Sequence, residues 1–470
     1  MLFYIIIALI GIAILMLALK KPFLTLLIFL FLLPLNAFII TYAKHLFDLD
    51  STQRLILTLW KEWVVITLLI WAVWQFIKTP KHKNIKTIQL FWFDYLIFGL
   101  FLLALLTIIW GVKDPKTILF GLRYDFEFFA IYFIGRILRP NPRQLKIAFL
   151  TILSSSLIVV IFAILQATLF PWDFLNRFGY TYAFEWTPWA DLQSSQIVGE
   201  TREFSRIIST LSGPNQLSSY LVLISVFLLS IILFAKKIIF KAGAGFYFLI
   251  ILLPLYRTYS RSAWLGLCSA ILVLMIYLLI RIFSKKQPAP KSNFLLSFAV
   301  IFFIVLTAIT AFIYLNSINS DLISKMILRG FSTSNHQEAL KRGVELVKDH
   351  PLGLGIGSAG PASQWGLGLE NSVITESSFL QIGVEMGVLG LIGFLVIIIA
   401  LIIKTFREIL KQKEEIFKIL LLGSTLGLIA LSTNALFLHS FADTATSFTL
   451  FALIGISLSK PDLRGSKANE

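Results

Sequence analysis

The chain has 470 residues, a mean hydropathy of +0.85 and only 14% charged residues. A soluble protein of this length carries far more charge and folds as two or three domains, so a soluble enzyme is excluded. The formal net charge of +16 does not require a nucleic acid, because basic loops of membrane proteins face anionic lipid. The composition therefore predicts a polytopic membrane protein in contact with membrane lipids, with no nucleic-acid partner.

Apolar segments long enough to cross a bilayer recur along the whole chain. A helical span needs roughly 17–25 apolar residues, which predicts about thirteen spans. They are residues 2–19, 22–40, 55–77, 93–110, 118–138, 147–170, 216–235, 238–256, 262–282, 294–315, 379–403, 417–436 and 441–458. The first segment has neither a basic leader nor an Ala-x-Ala site, so we expect a retained span rather than a signal peptide.

The distribution of lysine and arginine predicts the orientation. Most of the 41 basic residues fall on one side of the predicted spans, and the short loops 78–86, 139–146 and 404–418 carry this bias. These loops are expected to be cytoplasmic, which places the N-terminus outside and the C-terminus inside. Segments 171–215 and 316–378 then lie on the outer face. Both are too short for independent domains, so we predict one transmembrane domain, residues 1–460, and a cytoplasmic tail, residues 461–470.

Residues 350–390 differ from the rest of the chain, because polar, glycine-rich sequence leads directly into a long apolar run. No helix or strand period survives among these glycines, which allow left-handed backbone. Glu376 stands where the segment meets the next span. A carboxylate beside such a loop at a membrane boundary suits a chemical site. The alternative is a re-entrant loop whose glycines serve packing alone.

Four arginines adjoin spans on the predicted outer face: Arg202, Arg206, Arg257 and Arg261. Guanidinium is permanently charged and binds phosphate oxygens through a two-pronged fork, which suits a diphosphate. Arginines that extend to lipid headgroups would occupy the same positions, so both interpretations stay open.

Other polar residues lie within predicted spans. Ionisable groups such as Arg123 and Asp125 are costly there unless they pair or line a polar cavity. Arg123 is a further candidate substrate ligand, and pairing with Asp125 or with a neighbouring helix is the alternative. Gln381 and Glu385 share one face of their span, where they line the same cavity or join helices.

Three further patterns carry weaker signals. Aromatic residues crowd segment 172–189, where they suit either sugar stacking or a membrane interface. Asp48 and Asp50 have the carboxylate spacing of some metal-dependent glycosyltransferases, although two such aspartates are usually solvated. Residues 335–350 predict an amphipathic helix with Asn335 as its cap and His350 as its stop. The apolar positions of that helix are Leu340, Val344 and Val347.

Several of these segments together resemble the O-antigen ligase and O-antigen polymerase superfamily of bacterial cell-surface glycan enzymes. The segments are residues 206–215, 260–266, 349–357 and 377–390. The resemblance covers the second half of the chain by motif and all of it by the pattern of spans.

The resemblance implies an all-α polytopic membrane fold of the class C glycosyltransferase type. It implies about 12–13 transmembrane helices, with a long outer loop between late spans. Members take a glycan from undecaprenyl diphosphate on the outer face of the cytoplasmic membrane. They transfer it, with inversion and without a metal or other cofactor, to an acceptor glycan, lipid-linked sugar or protein. Arg206 and Arg261 would hold the diphosphate, with Arg202, Arg257, Asn215 and Arg123 as further substrate-binding candidates.

The chain departs from the superfamily at Glu376, where ligases have a histidine. A carboxylate can also accept the proton of an acceptor hydroxyl, so Glu376 is the predicted general base. The departure keeps repeat-unit polymerisation open beside ligation. Glu376 could instead cap the following helix, or mark a member that has lost catalysis.

A transporter or lipid-glycan flippase is the alternative from another class. Such folds usually show related halves and helices broken at the bilayer midplane. The sequence predicts neither feature, and its polar residues concentrate on one face.

Overall fold

The computed structural model describes residues 2–78, 90–171, 173–180, 206–283, 330–368 and 372–459. These ranges form sixteen α-helices and three short 3-10 helices, and they contain no strand. The α-helices are α1 (Leu2–Lys20), α2 (Pro22–Leu32), α3 (Asn36–Phe47), α4 (Ser51–Thr58), α5 (Trp60–Lys78), α6 (Trp92–Thr107), α7 (Pro115–Leu138), α8 (Pro142–Thr168), α9 (Pro214–Phe234), α10 (Ile238–Arg257), α11 (Arg261–Phe283), α12 (Gly330–Asp349), α13 (Gly360–Leu367), α14 (Ser378–Ile409), α15 (Glu415–Ala435) and α16 (Thr444–Leu458).

The predicted all-α polytopic membrane protein is confirmed. Among the described residues, nine helical segments are long and apolar enough to cross a membrane, and two shorter apolar helices accompany them. Each predicted span falls on one or two helices except residues 294–315, which lie outside the described residues, and the third span, residues 55–77, is divided between α4 and α5. The second predicted span is divided between α2 and α3 by a 3-10 turn at Leu33–Leu35, where a proline interrupts the α-helical hydrogen bonding.

Helices α9 and α15 form the centre of the bundle, and most of their side chains are buried. They run antiparallel, with Gly423 against the Phe227 ring and Gly427 against Leu223. Helices α7 and α16 approach each other at Gly135 and Gly455. Small residues at these contacts let the two helix backbones come close, which strengthens van der Waals packing between them. Such packing drives helix association in a membrane, where lipid is as apolar as the side chains and the hydrophobic effect contributes little.

The glycine loop, residues 353–360, is inserted among α6, α7 and α14. The Trp110 indole N–H donates to the Gly353 carbonyl at 3.2 Å, and the Ile356 amide donates to Thr107 Oγ1 at 3.0 Å. The glycines at positions 353, 355, 357 and 360 all have positive φ. The predicted loss of helix and strand period is therefore confirmed, and the glycines let the loop backbone contact helix backbone directly.

Helix α14 is interrupted at Gly387, whose φ is 70° and ψ is −169°. The sequence did not predict this interruption. The interruption is stabilised by the chain itself, because the Val388 amide donates to the Pro351 carbonyl at 3.0 Å. The Gly355 amide likewise donates to the Glu385 carbonyl at 3.0 Å. The glycine loop thus satisfies backbone groups that the break would otherwise leave unpaired.

The contact between the glycine loop and α7 yields a stability prediction. A Cβ at Gly357 would lie 2.3 Å from the Thr117 carbonyl oxygen, at a φ of +81°. Left-handed backbone costs about 1–2 kcal/mol for a residue with a Cβ, and overpacking adds about 1–3 kcal/mol. Gly357→Ala should therefore destabilise the purified protein by about 2–5 kcal/mol, read as a lower melting temperature.

Gly368→Ala is the matched control for this prediction. Gly368 has a φ of +80° and a ψ of 170°, and a Cβ there would meet none of the described atoms within 4 Å. That variant should show the conformational cost alone, about 1–3 kcal/mol in this glycine-specific backbone region. Equal losses in the two variants would contradict close packing of the loop on α7.

Helix α12 is the predicted amphipathic helix, and it ends at Asp349, directly before the predicted stop at His350. The predicted cap was wrong, because Asn335 lies inside a helix that begins at Gly330. Val344 is also exposed rather than packed, and Gly343 is buried instead. The packed face of α12 therefore differs from the predicted one, because it includes Gly343, which lies against Leu380 and Thr375.

Candidate functional site

The structure brings Arg206, Asn215 and the turn between α10 and α11 together. Arg206 is buried, and its Nε donates to the Thr258 carbonyl at 2.6 Å. Its Nη2 donates to Asn215 Oδ1 at 2.6 Å, and the neighbouring Ile207 amide donates to the Arg257 carbonyl at 3.4 Å. The guanidinium is thereby held in one orientation by a helix end and an amide side chain.

Two further predicted arginines lie on the same turn. Arg257 ends α10 and Arg261 begins α11, and both are partly buried. The Nε of Arg257 is buried and has no hydrogen-bond partner among the described residues. Arg202 lies outside the described residues. The fold therefore brings Arg206, Arg257 and Arg261, which come from two separate stretches of sequence, to one turn.

A series of hydrogen bonds leads from Arg206 to the end of α15. Ser219 Oγ donates to the carbonyl of Asn215 at 2.9 Å, and Asn434 Nδ2 donates to Ser219 Oγ at 2.6 Å. Ala263, in the first turn of α11, lines a small cavity together with Ser219 and Asn434. The starts of α9 and α11 thus adjoin the C-terminal end of α15.

The turn that carries Glu376 is fixed to the same end of α15. Ser377 Oγ donates to the Ala435 carbonyl at 3.1 Å, and the Ser378 amide donates to the Leu438 carbonyl at 3.1 Å. We call this end of the bundle, with the arginines and the Glu376 turn, the loop end. It brings together predicted site residues that lie far apart in the sequence.

Glu376 itself has a left-handed backbone, with a φ of 48°. Side chains with a Cβ rarely adopt this conformation, and it persists only where the surroundings impose it. The N-cap of α14 is Ser377, whose side chain accepts from the Leu380 amide at 3.4 Å. The alternative that Glu376 caps this helix is therefore wrong, and its carboxylate is free of that task.

The carboxylate of Glu376 faces a histidine that the sequence analysis did not single out. His336 Nδ1 lies 3.4 Å from Glu376 Oε2. Burial raises the pKa of the Glu376 carboxyl, and a protonated His336 acts in the opposite direction. The sequence held a signal for this contact, since His336, Leu340, Gly343 and Val347 share one face of a helix.

Other polar residues of the spans serve to join elements. Gln381 Nε2 donates to Asp125 Oδ1 at 2.8 Å, and the Ala359 amide donates to Glu385 Oε1 at 3.3 Å. All three side chains are buried. The sequence left open whether Gln381 and Glu385 line a cavity or join helices. The observed contacts join elements, because they connect α7, α14 and the glycine loop.

Arg123 pairs with a neighbouring helix rather than with Asp125. Its Nε is 2.5 Å from Glu62 Oε1 of α5 and 3.9 Å from Glu127 Oε2. A largely buried guanidinium is stable where carboxylates compensate its charge. Substrate binding by Arg123 stays a prediction that these contacts do not test.

The remaining candidates have local structural contacts. Asp50 is the N-cap of α4, where its side chain accepts from the Gln53 amide at 2.8 Å, and Asp48 is the left-handed C-cap residue of α3. Of the aromatic residues in segment 172–189, those that the structure describes with side chains pack into a small apolar cluster. They are Phe174, Phe178 and Tyr180.

Residues 246–395 match a protein-family model described as O-antigen ligase. Over these residues the chain is similar to the O-antigen ligase family. The match confirms the resemblance to the O-antigen ligase superfamily that residues 260–266, 349–357 and 377–390 predicted. None of the curated proteins compared with the chain matches it.

The segment that matches the O-antigen ligase model extends from α10 into α14. It contains Arg257, Arg261, the glycine loop and Glu376, whereas Arg206 and Asn215 precede it. The family acts on lipid-linked glycans, so the domain supports glycan transfer of the ligase or polymerase type in a multi-pass membrane protein.

Proposed function

We propose that the chain is a glycosyltransferase of the O-antigen ligase type. It takes a glycan from undecaprenyl diphosphate and transfers it to an acceptor sugar on the outer face of the cytoplasmic membrane. The reaction inverts the anomeric carbon and needs no metal. The proposal rests mainly on one observation, the hydrogen-bonded connection that joins Arg206 to the end of α15, on which the Glu376 turn is also held.

The proposed donor site is the arginine cluster. As the bond between the anomeric carbon and the diphosphate breaks, the electron pair goes to the diphosphate and negative charge develops there. Arg206, Arg257 and Arg261 would stabilise this charge, with Arg202 as a further candidate and Asn215 holding Arg206. Helices α9, α11, α14 and α16 all begin at the loop end, and helix N-termini favour anions.

Glu376 is the proposed general base. An acceptor hydroxyl is a weak nucleophile, and Glu376 would accept its proton while the hydroxyl oxygen bonds to the anomeric carbon. Attack from the side opposite the leaving diphosphate inverts that carbon in a single step. Partial exposure of the carboxylate, 29% of its side chain, supports access by an acceptor.

Repeat-unit polymerisation is a second candidate, favoured by Glu376 itself. Ligases of the superfamily have histidine at this position, and the carboxylate marks a departure from that subgroup. Both reactions use the same donor and the same leaving group. They differ in the acceptor, which is a separate sugar, lipid-linked sugar or protein for ligation and a growing lipid-linked chain for polymerisation.

The experiment that tests the function is a transfer assay with purified protein and undecaprenyl-diphosphate-linked glycan. Product mass separates the candidates, since ligation yields an acceptor with an added glycan and polymerisation yields a longer lipid-linked chain. We expect transfer to continue in EDTA. Activity lost in EDTA and restored by a divalent metal would instead assign a role to Asp48 and Asp50. No transfer with any acceptor or lipid-linked chain would contradict the proposal.

The proposed outer-face location makes a topology prediction. Cys268 is the single cysteine of the chain, so Cys268→Ala provides a background for labelling. Lys341 on α12 and Lys411 after α14 have side chains that are 80% and 65% exposed. In spheroplasts, Lys341→Cys should react with a membrane-impermeant maleimide, and Lys411→Cys should react only after permeabilisation. The reverse pattern would put the site in the wrong compartment.

A further inference from the structure

His336 and Glu376 form a partly exposed pair at the loop end. Their side chains are 36% and 29% exposed, and 3.4 Å separates Nδ1 from Oε2. This distance is within ion-pair range and longer than an ordinary hydrogen bond, as is common for catalytic contacts without substrate. Within the part of the chain that the structure describes, His336 is the one group whose charge, when the imidazole is protonated, acts on Glu376.

Glycine contacts on α12 place His336 over the Glu376 turn. A Cβ at Gly383 would lie 2.9 Å from Val347, and one at Gly343 would lie 3.3 Å from Thr375. Two turns before Gly343, the same face of α12 presents His336. The positions of His336 and Glu376 are thus both fixed by the close packing of α12 against the start of α14.

Such a partner matters because a carboxylate base has two oxygens. A donor on one oxygen fixes the plane of the carboxylate and leaves the other oxygen for the acceptor hydroxyl. Burial favours the neutral form of Glu376, which cannot act as a base, and a cationic imidazole opposes that effect.

We propose that His336 is the positioning residue of Glu376, with its Nδ1 holding Oε2 so that Oε1 accepts the acceptor proton. This inference rests on the proposed function, because it requires Glu376 to be the base. The hydroxyl proton goes to Glu376, the hydroxyl oxygen bonds to the anomeric carbon, and the diphosphate leaves with its electron pair. His336 keeps its contact and gains or loses no atom in this step.

The test compares transfer by the wild type, His336→Ala, Glu376→Gln and the double variant. Misplacement of a reacting group by about 1 Å can cost roughly a hundredfold, so His336→Ala should lower kcat by about 10- to 100-fold with little change in KM. The double variant should be no slower than Glu376→Gln alone, because a residue that acts through Glu376 has nothing left to position.

Two further variants separate positioning from a purely structural role. His336→Asn retains a donor near the Nδ1 position and should recover part of the rate. His350→Ala makes the same substitution at the exposed end of α12 and should transfer at the wild-type rate. A melting temperature for each variant shows whether α12 remains packed.

The outcomes are distinguishable from failure of the proposed function. If Glu376→Gln is slow but His336→Ala is as fast as the wild type, the base stands and His336 is not its positioning residue. The same conclusion follows if His336→Ala slows Glu376→Gln by as much as it slows the wild type. If Glu376→Gln transfers at the wild-type rate, the proposed base is wrong and the role of His336 falls with it.

Discussion

Glu376→Gln is expected to reduce glycan transfer at least about a hundredfold, because a general base typically contributes roughly 10²- to 10⁴-fold. Glutamine keeps the size of the side chain and part of its hydrogen bonding, but it cannot accept the acceptor proton. The variant should fold and bind donor, since the cap of α14 belongs to Ser377 and the turn is held by Ser377 and Ser378. Turnover of purified protein, with donor binding measured separately, checks this expectation.

Glu376→His is the companion variant. Histidine is the residue that ligases of the superfamily have at this position, so partial activity is expected. The left-handed backbone at position 376 disfavours any side chain with a Cβ, and this cost is the same for glutamate, glutamine and histidine to a first approximation. A difference in rate between the two variants would then report chemistry rather than folding. Normal transfer by Glu376→Gln would show that the base is elsewhere.

Arg261→Ala is expected to slow transfer by roughly 10- to 150-fold. A charge-assisted hydrogen bond contributes about 1.5–3 kcal/mol, and that range converts directly into this loss of rate. Arg261 is a cleaner test than Arg206, which is buried and also holds the Thr258 carbonyl and Asn215. Replacing Arg206 would leave those groups unpaired and confuse folding with binding.

Lysine at position 261 should restore the rate only in part, because an ammonium group cannot reproduce the two-pronged fork. Arg342→Ala is the matched control, since Arg342 lies on the exposed face of α12. That variant should transfer at the wild-type rate. A folded Arg261→Ala protein with wild-type turnover would remove Arg261 from the donor site.

The sequence by itself determined the class of the protein and the approximate position of most of its described apolar helices. Apolar runs of spanning length can be recognised from the sequence alone. A helix in lipid forms all its backbone hydrogen bonds within its own segment, so its formation does not depend on contacts with distant residues. The sequence also predicted an irregular glycine-rich segment before α14, and it singled out Glu376 at the end of that segment. The superfamily resemblance followed from short motifs whose order and spacing are also properties of the sequence.

Only the tertiary structure decided which residues meet. The pairing of Arg123 with Glu62, the contact of His336 with Glu376 and the break of α14 at Gly387 all depend on segments distant in the chain. A charged or polar residue in a span must find a partner, but the sequence does not say on which helix that partner lies. The sequence did not predict the break in α14 for the same reason. The backbone groups at the break form hydrogen bonds with residues 351–355, which lie about thirty positions earlier in the chain.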